Sequence, residues 1–281
     1  MSEDLLDFSK SSVKMPIYFG CDTFDAKTNM AIDEVLLGLS EKNGDSFIRF
    51  YNFLSPAVLL SYTDHPDNLD EDRKGDVTVS RRETGGLPIY VDGNILAYSI
   101  TGMVKEHSFN IPARLHAFFS SIIAESIKEV ISTKANIRVG KSYSIRANGM
   151  PIAAHSQVVR SSRAFLYQGV IVVDRWDVGE ISSFLKLNRH DYDEIANLPC
   201  IKWLSRVRDE PIEYYKKSLV KMLVDNFTHS LGMVSIDPLD RQDVVNDAKK
   251  LADGKYSDPD WVYGKPGNLK LAPKFCMLWD D

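Results

Sequence analysis

Three strand-like runs follow one another in the second half of the sequence. They are SYSIRA at 142–147, MPIAAHSQVV at 150–159 and AFLYQGVIVVD at 164–174. Only the dipeptide Asn148-Gly149 and the polar segment RSSR at 160–163 separate them. Because an Asn-Gly pair between apolar runs is a strong hairpin signal, we predict an antiparallel meander. This meander restricts the chain to folds that are built around a sheet.

The remaining pattern predicts helices on both sides of more strands. Two apolar runs, SFIRFYNF and AVLLSY, precede a predicted hairpin, PIYVDGNILAYSI, that turns at Asp92-Gly93. Apolar residues at helical spacing predict helices at 28–43, from Ser108 to 130, at 178–186, at 212–231 and at 241–254. The stretch from 187 to Pro211 has an irregular pattern. We therefore predict an α+β fold with a mixed, largely antiparallel twisted sheet flanked by helices.

Composition excludes several classes of protein. The chain has 281 residues, a formal net charge of -5 and three cysteines without a CxxC pair. This balance gives no overall positive field for nucleic acid, and the cysteines indicate neither a disulfide framework nor a zinc site. The first 16 residues are mixed and acidic, unlike a secretion signal, and no run is apolar enough to cross a membrane. We expect a cytoplasmic protein that binds neither nucleic acid nor membrane.

The segment SRRETGG contains the strongest chemical signal in the sequence. Arg81 and Arg82 lie next to Gly85 and Gly86, whose backbone amides a ligand can approach closely. Such a loop suits a carboxylate or a phosphate. The alternative from residue types alone is a solvated arginine pair beside an ordinary glycine turn.

Six segments occur in an order that resembles one known family. They are TNMAIDEVLL on the first helix, IRFY on a strand, SRRETGGLPIYVD, NGMPIAAHSQ, LYQGVIVVD and KYSDPDWVYGK. The chain resembles the lipoate-protein ligase A and octanoyltransferase family, relatives of the biotin ligases. The resemblance implies a catalytic domain over residues 16–266, followed by a tail at 267–281. It implies the short form of the family, in which a separate accessory subunit supports the ligase.

The resemblance also implies the chemistry. Ligases of this family use ATP, with Mg, to activate lipoate or octanoate as an acyl adenylate and then transfer it to a lysine of a lipoyl-carrier domain. The residues that would bind substrate are Arg81, Arg82, Thr84, Gly85, Gly86, Tyr90, Ser156 and Gln157.

Three positions depart from the family pattern. Leu87 replaces the third glycine, Val91 the loop histidine and Pro151 the lysine that serves the adenylate. Because a two-residue turn at Asn148-Gly149 places Arg146 across from Pro151, we predict Arg146 as the replacement catalytic cation, with Lys141 as a more distant candidate. The alternative for Arg146 is an exposed strand arginine.

The departures leave three functions open. The chain is a lipoyl or octanoyl ligase with a displaced cation, a non-catalytic relative that binds the acyl group or its carrier, or an ATP-independent acyltransferase. The transferase needs a reactive cysteine near the pocket. Cys21, Cys200 and Cys276 match no such position, and each is interpreted as a small core residue.

Overall fold

The computed structural model describes residues 15–264, except 65, 71–76, 106–109, 132–133, 141–143, 188 and 208. The helices are α1 Ala26–Asn43, α2 Ile111–Val130, α3 Val178–Phe184, α4 Arg189–Ala196, α5 Ile201–Leu204, α6 Ile212–Leu231, α7 Pro238–Asp253 and α8 Pro259–Val262. The strands are β1 Ile17–Phe24, β2 Phe47–Phe53, β3 Ala57–Leu60, β4 Thr78–Arg81, β5 Ile89–Val91, β6 Ile95–Met103, β7 Ile137–Val139, β8 Ile145–Ala147, β9 Met150–Val159, β10 Ala164–Val172 and β11 Val234–Ser235.

Eight strands form a large sheet in the order β11-β1-β2-β6-β10-β9-β8-β7. The predicted meander is confirmed, since β8, β9 and β10 pair antiparallel in succession. Asn148 and Gly149 both have positive φ, 53° and 89°, as a two-residue hairpin turn requires. β1 pairs parallel with β2 and with β11, which makes the sheet mixed, as predicted.

A second sheet of three strands, β4-β3-β5, lies apart from the large one. β5 pairs with β3 and β6 with β2 and β10, so the hairpin predicted at Asp92-Gly93 is wrong. The Asp92 carboxylate accepts hydrogen bonds from the Asn94 amide at 2.7 Å and from Trp176 Nε1 at 3.1 Å. These contacts fix a corner where the chain passes from one sheet to the other. We call β3, β4, β5 and residues 82–88 the roof.

Helices cover both faces of the large sheet. One face packs against α2 and α6, and the other packs against α1 and α7. α1 begins after Asp25, whose carboxylate caps Thr28, and ends at Gly44 with a φ of 71°, as its Asn-Gly ending predicted. The start predicted at Ser108 lies outside the described residues, and α2 begins at Ile111. The stretch predicted to be irregular contains α4 and α5.

A buried ion pair joins α1 to the large sheet. Arg49 Nη1 lies 2.9 Å from Asp33 Oδ1, and the two side chains are 0% and 2% exposed. Tyr51 Oη and Ser99 Oγ also donate to the Asp33 carboxylate, at 3.1 Å and 2.6 Å. Removing one partner of such a pair leaves an uncompensated buried charge, which typically costs about 3–5 kcal/mol. The pair therefore fixes how α1 sits on the sheet.

Two histidines are buried between the large sheet and α2. The ring centroid of Tyr167 lies 5.1 Å from that of His116 and 5.5 Å from that of His155, and His155 Nδ1 is hydrogen-bonded to the Tyr98 hydroxyl. Burial lowers the pKa of His116 to about 4 and holds the pKa of His155 well below its usual range. Both imidazoles are thus core groups that are neutral at pH 7.

These histidines predict a loss of stability in mild acid. The unfolded chain binds protons on its imidazoles below about pH 6.5, whereas the folded His116 stays neutral down to about pH 4. The free energy of unfolding should therefore fall as pH decreases from 6.5 toward 4, by about 2 kcal/mol for His116 between pH 7 and pH 5. Urea unfolding at both pH values should show a smaller fall for His116→Phe. His229→Phe, at an exposed site, is the matched control and should keep the full fall.

Candidate functional site

The main cavity lies between the large sheet and the roof. Its volume is about 280 Å³. The strands β9 and β10 form its floor, β5 and the preceding loop form one wall, and α3 and α4 form the other. The lining residues are Leu87, Pro88, Ile89, Tyr90, Pro151, Ile152, Ala153, Ala154, Val170, Val172, Trp176, Ile181, Leu185, Lys186, Leu187, Ile195 and Leu198. Nearly all of these side chains are apolar, so the cavity suits a hydrocarbon chain.

A smaller chamber of about 80 Å³ adjoins the main cavity. The two spaces share Leu87, Pro88, Ile89, Ala154 and Val170 and therefore form one cleft. The chamber is bounded in addition by Tyr51, Phe53, Leu59, Arg82, His155, Ser156, Gln168 and Gly169. A Cβ at Gly169 would lie 2.3 Å from the Ala154 carbonyl oxygen and from Tyr98 Oη, so only glycine fits at this position.

Arg81 is completely buried, and its guanidinium donates to backbone carbonyls on two segments. On the loop that follows β3, the acceptors are the carbonyls of Ser61, Tyr62 and Asp64. On the segment that contains α8, the acceptors are the carbonyls of Trp261, Val262 and Gly264. Arg81 thus joins the roof to the segment KYSDPDWVYG.

Arg82 is engaged in a similar way. It donates to the carbonyls of Leu59 at 3.0 Å, Gly85 at 2.8 Å and Leu87 at 2.8 Å, and to Thr84 Oγ1 at 3.2 Å. Burial lowers its pKa to about 10, so it remains a cation at pH 7. This arrangement differs from the open anion-binding wall that the sequence suggested. A role of either arginine toward a ligand stays a prediction.

The predicted loop residues Thr84, Gly86 and Leu87 contribute to the structure of the chamber wall. Thr84 Oγ1 and Ser156 Oγ are hydrogen-bonded at 2.7 Å, which ties the roof to β9. Gly86 has a φ of 101°, a conformation that favours glycine. Leu87, at the third-glycine position, is 43% exposed and borders both spaces. The extra side chain therefore adds to the wall of the cleft.

The other predicted residues are divided between the cleft and its surroundings. Tyr90 lines the main cavity with its ring stacked on Phe184 at an interplanar angle of 7°. Gln157 lies on the opposite face of β9, because Ala154 and Ser156 face the cleft and residues alternate along a strand. Val91 is fully buried in the core beside α1.

Arg146 pairs directly with Pro151, as predicted from the two-residue turn. Pro151 lines the main cavity, and the Arg146 guanidinium donates to the Gly149 carbonyl at 3.0 Å. Arg146 is thus next to the cleft without being part of its lining. Its catalytic role stays a prediction, and Lys141 lies outside the described residues.

The cysteines are poorly placed for acyl transfer. Cys200 is fully buried, and burial raises its thiol pKa to about 11. Cys21 lies on β1, three strands away from β10 in the sheet, and partial burial of its thiol raises that pKa as well. Cys276 lies outside the described residues.

Sequence reasoning missed several residues of the cleft, among them Gln168, Trp176 and Lys186. Gln168 interrupts the apolar run FLYQGVIVV on a strand that is otherwise buried, and this interruption was a usable signal. Lys186 is the lysine of the main cavity lining, and its Nζ donates to the Asp67 carbonyl at 2.9 Å. Trp176 and Lys186 reach the cleft through loops whose path the local pattern does not specify.

Comparison with known proteins identifies the family of this fold. The model of the family "Lipoyl protein ligase A/B catalytic domain" matches residues 25–208, more than half of the chain. The chain belongs to this family. Among curated proteins, none matches its sequence.

Solved structures agree on the fold. A lipoate-protein ligase A bound with ATP superposes with a TM-score of 0.71 at 18% identity, covering 89% of this chain and 99% of that one. The bi-partite lipoate protein ligase of a lipoylation system from T. acidophilum gives 0.70 at 19% identity, with 89% and 97% covered. P. falciparum LipL1 in complex with lipoate gives 0.66 at 16% identity, with 93% and 76% covered. The predicted α+β ligase fold is confirmed.

No helix in the described part of the chain is long and apolar enough to cross a membrane. Within the same residues, no group of three or more His, Cys, Asp or Glu side chains is arranged to hold a metal ion.

The carbonyl contacts of Arg81 predict that its main role is in stability. Arg81→Lys keeps the charge but leaves buried carbonyls without donors, and each such loss costs about 1–3 kcal/mol. We expect the free energy of unfolding, measured in urea, to fall by about 3 kcal/mol or more. Arg138→Lys, on an exposed strand position, is the control and should change it by about 0.5 kcal/mol or less. An unchanged stability of Arg81→Lys would contradict the assignment.

Proposed function

We propose that this protein is lipoate-protein ligase-like and handles a lipoyl or octanoyl group for a lysine of a lipoyl-carrier domain. The observation that carries the proposal is the apolar cleft between β9, β10 and the roof, in a chain of the lipoyl ligase family. Residues 16–266 form the proposed catalytic domain, with 267–281 as a tail.

The size and chemistry of the cleft support a medium-chain acyl ligand. The main cavity, about 280 Å³, is close to the lower end of small-molecule sites, about 300–1,000 Å³. Each buried methylene contributes about 0.8 kcal/mol, so the six methylenes of octanoate supply about 5 kcal/mol before the costs of binding. An aliphatic chain therefore gains enough from this lining to be held.

The position of the acyl carboxylate is set by the cations at the Pro151 side of the cleft. Arg146 pairs with Pro151 across the hairpin, and Lys186 is a further cation in the cavity lining. An acyl adenylate concentrates negative charge on its phosphate, and a nearby cation stabilises the transition state that forms it. We assign this role to Arg146, with Lys141 as the second candidate. In this proposal ATP with Mg activates the acid. The ATP bound to the similar ligase A supports the ATP assignment.

A second function is favoured by the departures themselves. Pro151 removes a cation from the cavity wall, Val91 is buried in the core, and Arg81 and Arg82 donate to backbone carbonyls. A protein with these features binds the acyl chain, or its carrier, without forming an adenylate. ATP-independent transfer is the weakest alternative, because neither described cysteine is near the cleft with a low pKa.

The proposed partners follow from the same relatives. The T. acidophilum structure describes a bi-partite ligase together with its E2 lipoyl domain. By analogy, the partners of this chain are a lipoyl-carrier domain and an accessory ligase subunit. The cellular location we propose is the cytoplasm.

Filling the cleft should abolish acyl binding. Ala154 borders both the cavity and the chamber, and in Ala154→Leu the added atoms occupy the space of the ligand. Calorimetric titration with octanoate and with lipoate should show at least about a tenfold weaker Kd, or about 1.4 kcal/mol. Ala117→Leu, at an exposed position of α2, is the matched control. Equal affinities for Ala154→Leu and the unaltered protein would place the ligand elsewhere.

Pyrophosphate exchange with ATP and lipoate or octanoate separates the two functions. A ligase should show exchange, which Arg146→Ala lowers by about a hundredfold because a lost transition-state contact costs about 3 kcal/mol. Pro151→Lys should raise it. The assay is run with and without the carrier domain and an accessory subunit. If neither the unaltered protein nor Pro151→Lys exchanges pyrophosphate while acyl binding persists, the ligase is refuted and the non-catalytic function takes precedence. Unchanged exchange in Arg146→Ala refutes the replacement cation.

A further inference from the structure

A row of polar side chains crosses the sheet at the chamber, where Gln168 and Ser156 are part of the lining. Gln168 pairs with Ser99 on β6 and with Ser156 on β9, so the three side chains share one face of the sheet. Ser99 donates to Asp33 at 2.6 Å, and Ser156 is bonded to Thr84 at 2.7 Å. Both serines are therefore satisfied within the protein.

Gln168 is the exception in this row. It is 4% exposed, and its Oε1 has no hydrogen-bond partner among the described residues. Its Nε2 has only a weak contact, 3.9 Å from Met30 Sδ. A buried acceptor without a partner costs about 1–3 kcal/mol, and an apolar side chain of the same shape would avoid that cost. A partner that the free protein lacks therefore explains a glutamine at this position.

The neighbouring groups restrict where that partner comes from. His155 also borders the chamber and has a partnerless ring nitrogen, but its ring packs on the other face against Tyr167. Of the other boundaries, Phe53, Leu59 and Val170 are apolar, whereas Tyr51 donates to Asp33 and Arg82 donates to backbone carbonyls. The chamber that Gln168 borders offers space for a partner, since 80 Å³ holds several non-hydrogen atoms.

We infer that Gln168 selects an acyl chain whose far end carries a hydrogen-bond donor, such as a hydroxyl or thiol, over one that ends in a plain hydrocarbon. This inference rests on the proposed function and deepens it. With the carboxylate beside Pro151 and Arg146, as proposed, the chain runs along β9 and β10 and its far end enters the chamber. The donor then bonds to Gln168 Oε1. A site built around a hydrogen bond discriminates strongly against a ligand that lacks the group.

Two probes that differ in one atom test the inference. Octanoate and 8-hydroxyoctanoate are titrated calorimetrically into the unaltered protein, and we expect the hydroxy acid to bind at least about tenfold more tightly. In Gln168→Met, of similar shape, this preference should disappear, through weaker binding of the hydroxy acid and equal or tighter binding of octanoate. Gln242→Met, on the exposed face of α7, is the matched control and should keep the preference.

The outcomes separate this inference from the proposed function. If both acids bind with equal affinity, or octanoate binds more tightly, the selection by Gln168 is wrong and the amide serves a buried water only. If Gln168→Met keeps the preference, another group makes the contact and the inference is also wrong. If neither acid nor lipoate binds, the proposed function itself fails. The comparison in the unaltered protein decides the first point even if the variant does not fold.

Discussion

The guanidinium of Arg81 is the contact on which the site depends. It donates hydrogen bonds to backbone carbonyls in residues 61–64 and in residues 261–264, two segments that are far apart in sequence. Backbone carbonyls in a buried loop need hydrogen-bond donors, and a guanidinium group, with five N–H donors, can bind several carbonyls at once. Arg81 therefore holds the loop after β3 and the α8 segment together. The roof that covers the cleft rests on this junction.

A second set of charges ties the same junction to α1. Lys255 Nζ donates to both carboxylate oxygens of Glu34, at 2.9 Å and 2.8 Å, and to the carboxylate of Glu83 in the roof. Its ammonium also lies 3.7 Å from the ring centroid of Trp261. These contacts join α1, the roof and the segment before α8. The segment KYSDPDWVYG thus has a structural role in supporting the cleft.

The sequence predicted those parts of the fold that depend on local signals. Asn148-Gly149 specified a hairpin, and Gly44 and Gly232 ended helices, because positive φ is inexpensive for these residues. Asp92-Gly93 carries a similar signal but forms a corner between two sheets. There the long-range bond from Trp176 to Asp92, and the pairing of β5 with β3 but of β6 with β2 and β10, outweighed the local preference.

The site was harder to predict because its chemistry depends on distant partners. The order of motifs indicated the family, and the register of Arg146 with Pro151 followed from the turn. By contrast, nothing local shows that the two arginines donate to backbone carbonyls, since the acceptors lie up to 183 residues away. Gln168 was not predicted, because its side chain stands out only once the structure shows that its Oε1 has no hydrogen-bond partner among the described residues.

The buried guanidinium groups of Arg81 and Arg82 stabilise the segments around the cleft. The lining of the main cavity is mostly apolar, which suits a hydrocarbon chain. In this member of the lipoyl ligase family, Leu87 and Pro151 are part of the lining of that cleft. The central claim is that the acyl group binds between the roof and strands β9 and β10, and that both arginines keep their carbonyl partners.

A crystal structure with bound lipoate, its sulfur atoms located by anomalous scattering, tests this directly. We predict sulfur peaks beside Gln168 with Arg81 and Arg82 unmoved; peaks outside the cleft, or either guanidinium turned from its carbonyls to the ligand carboxylate, would contradict the account.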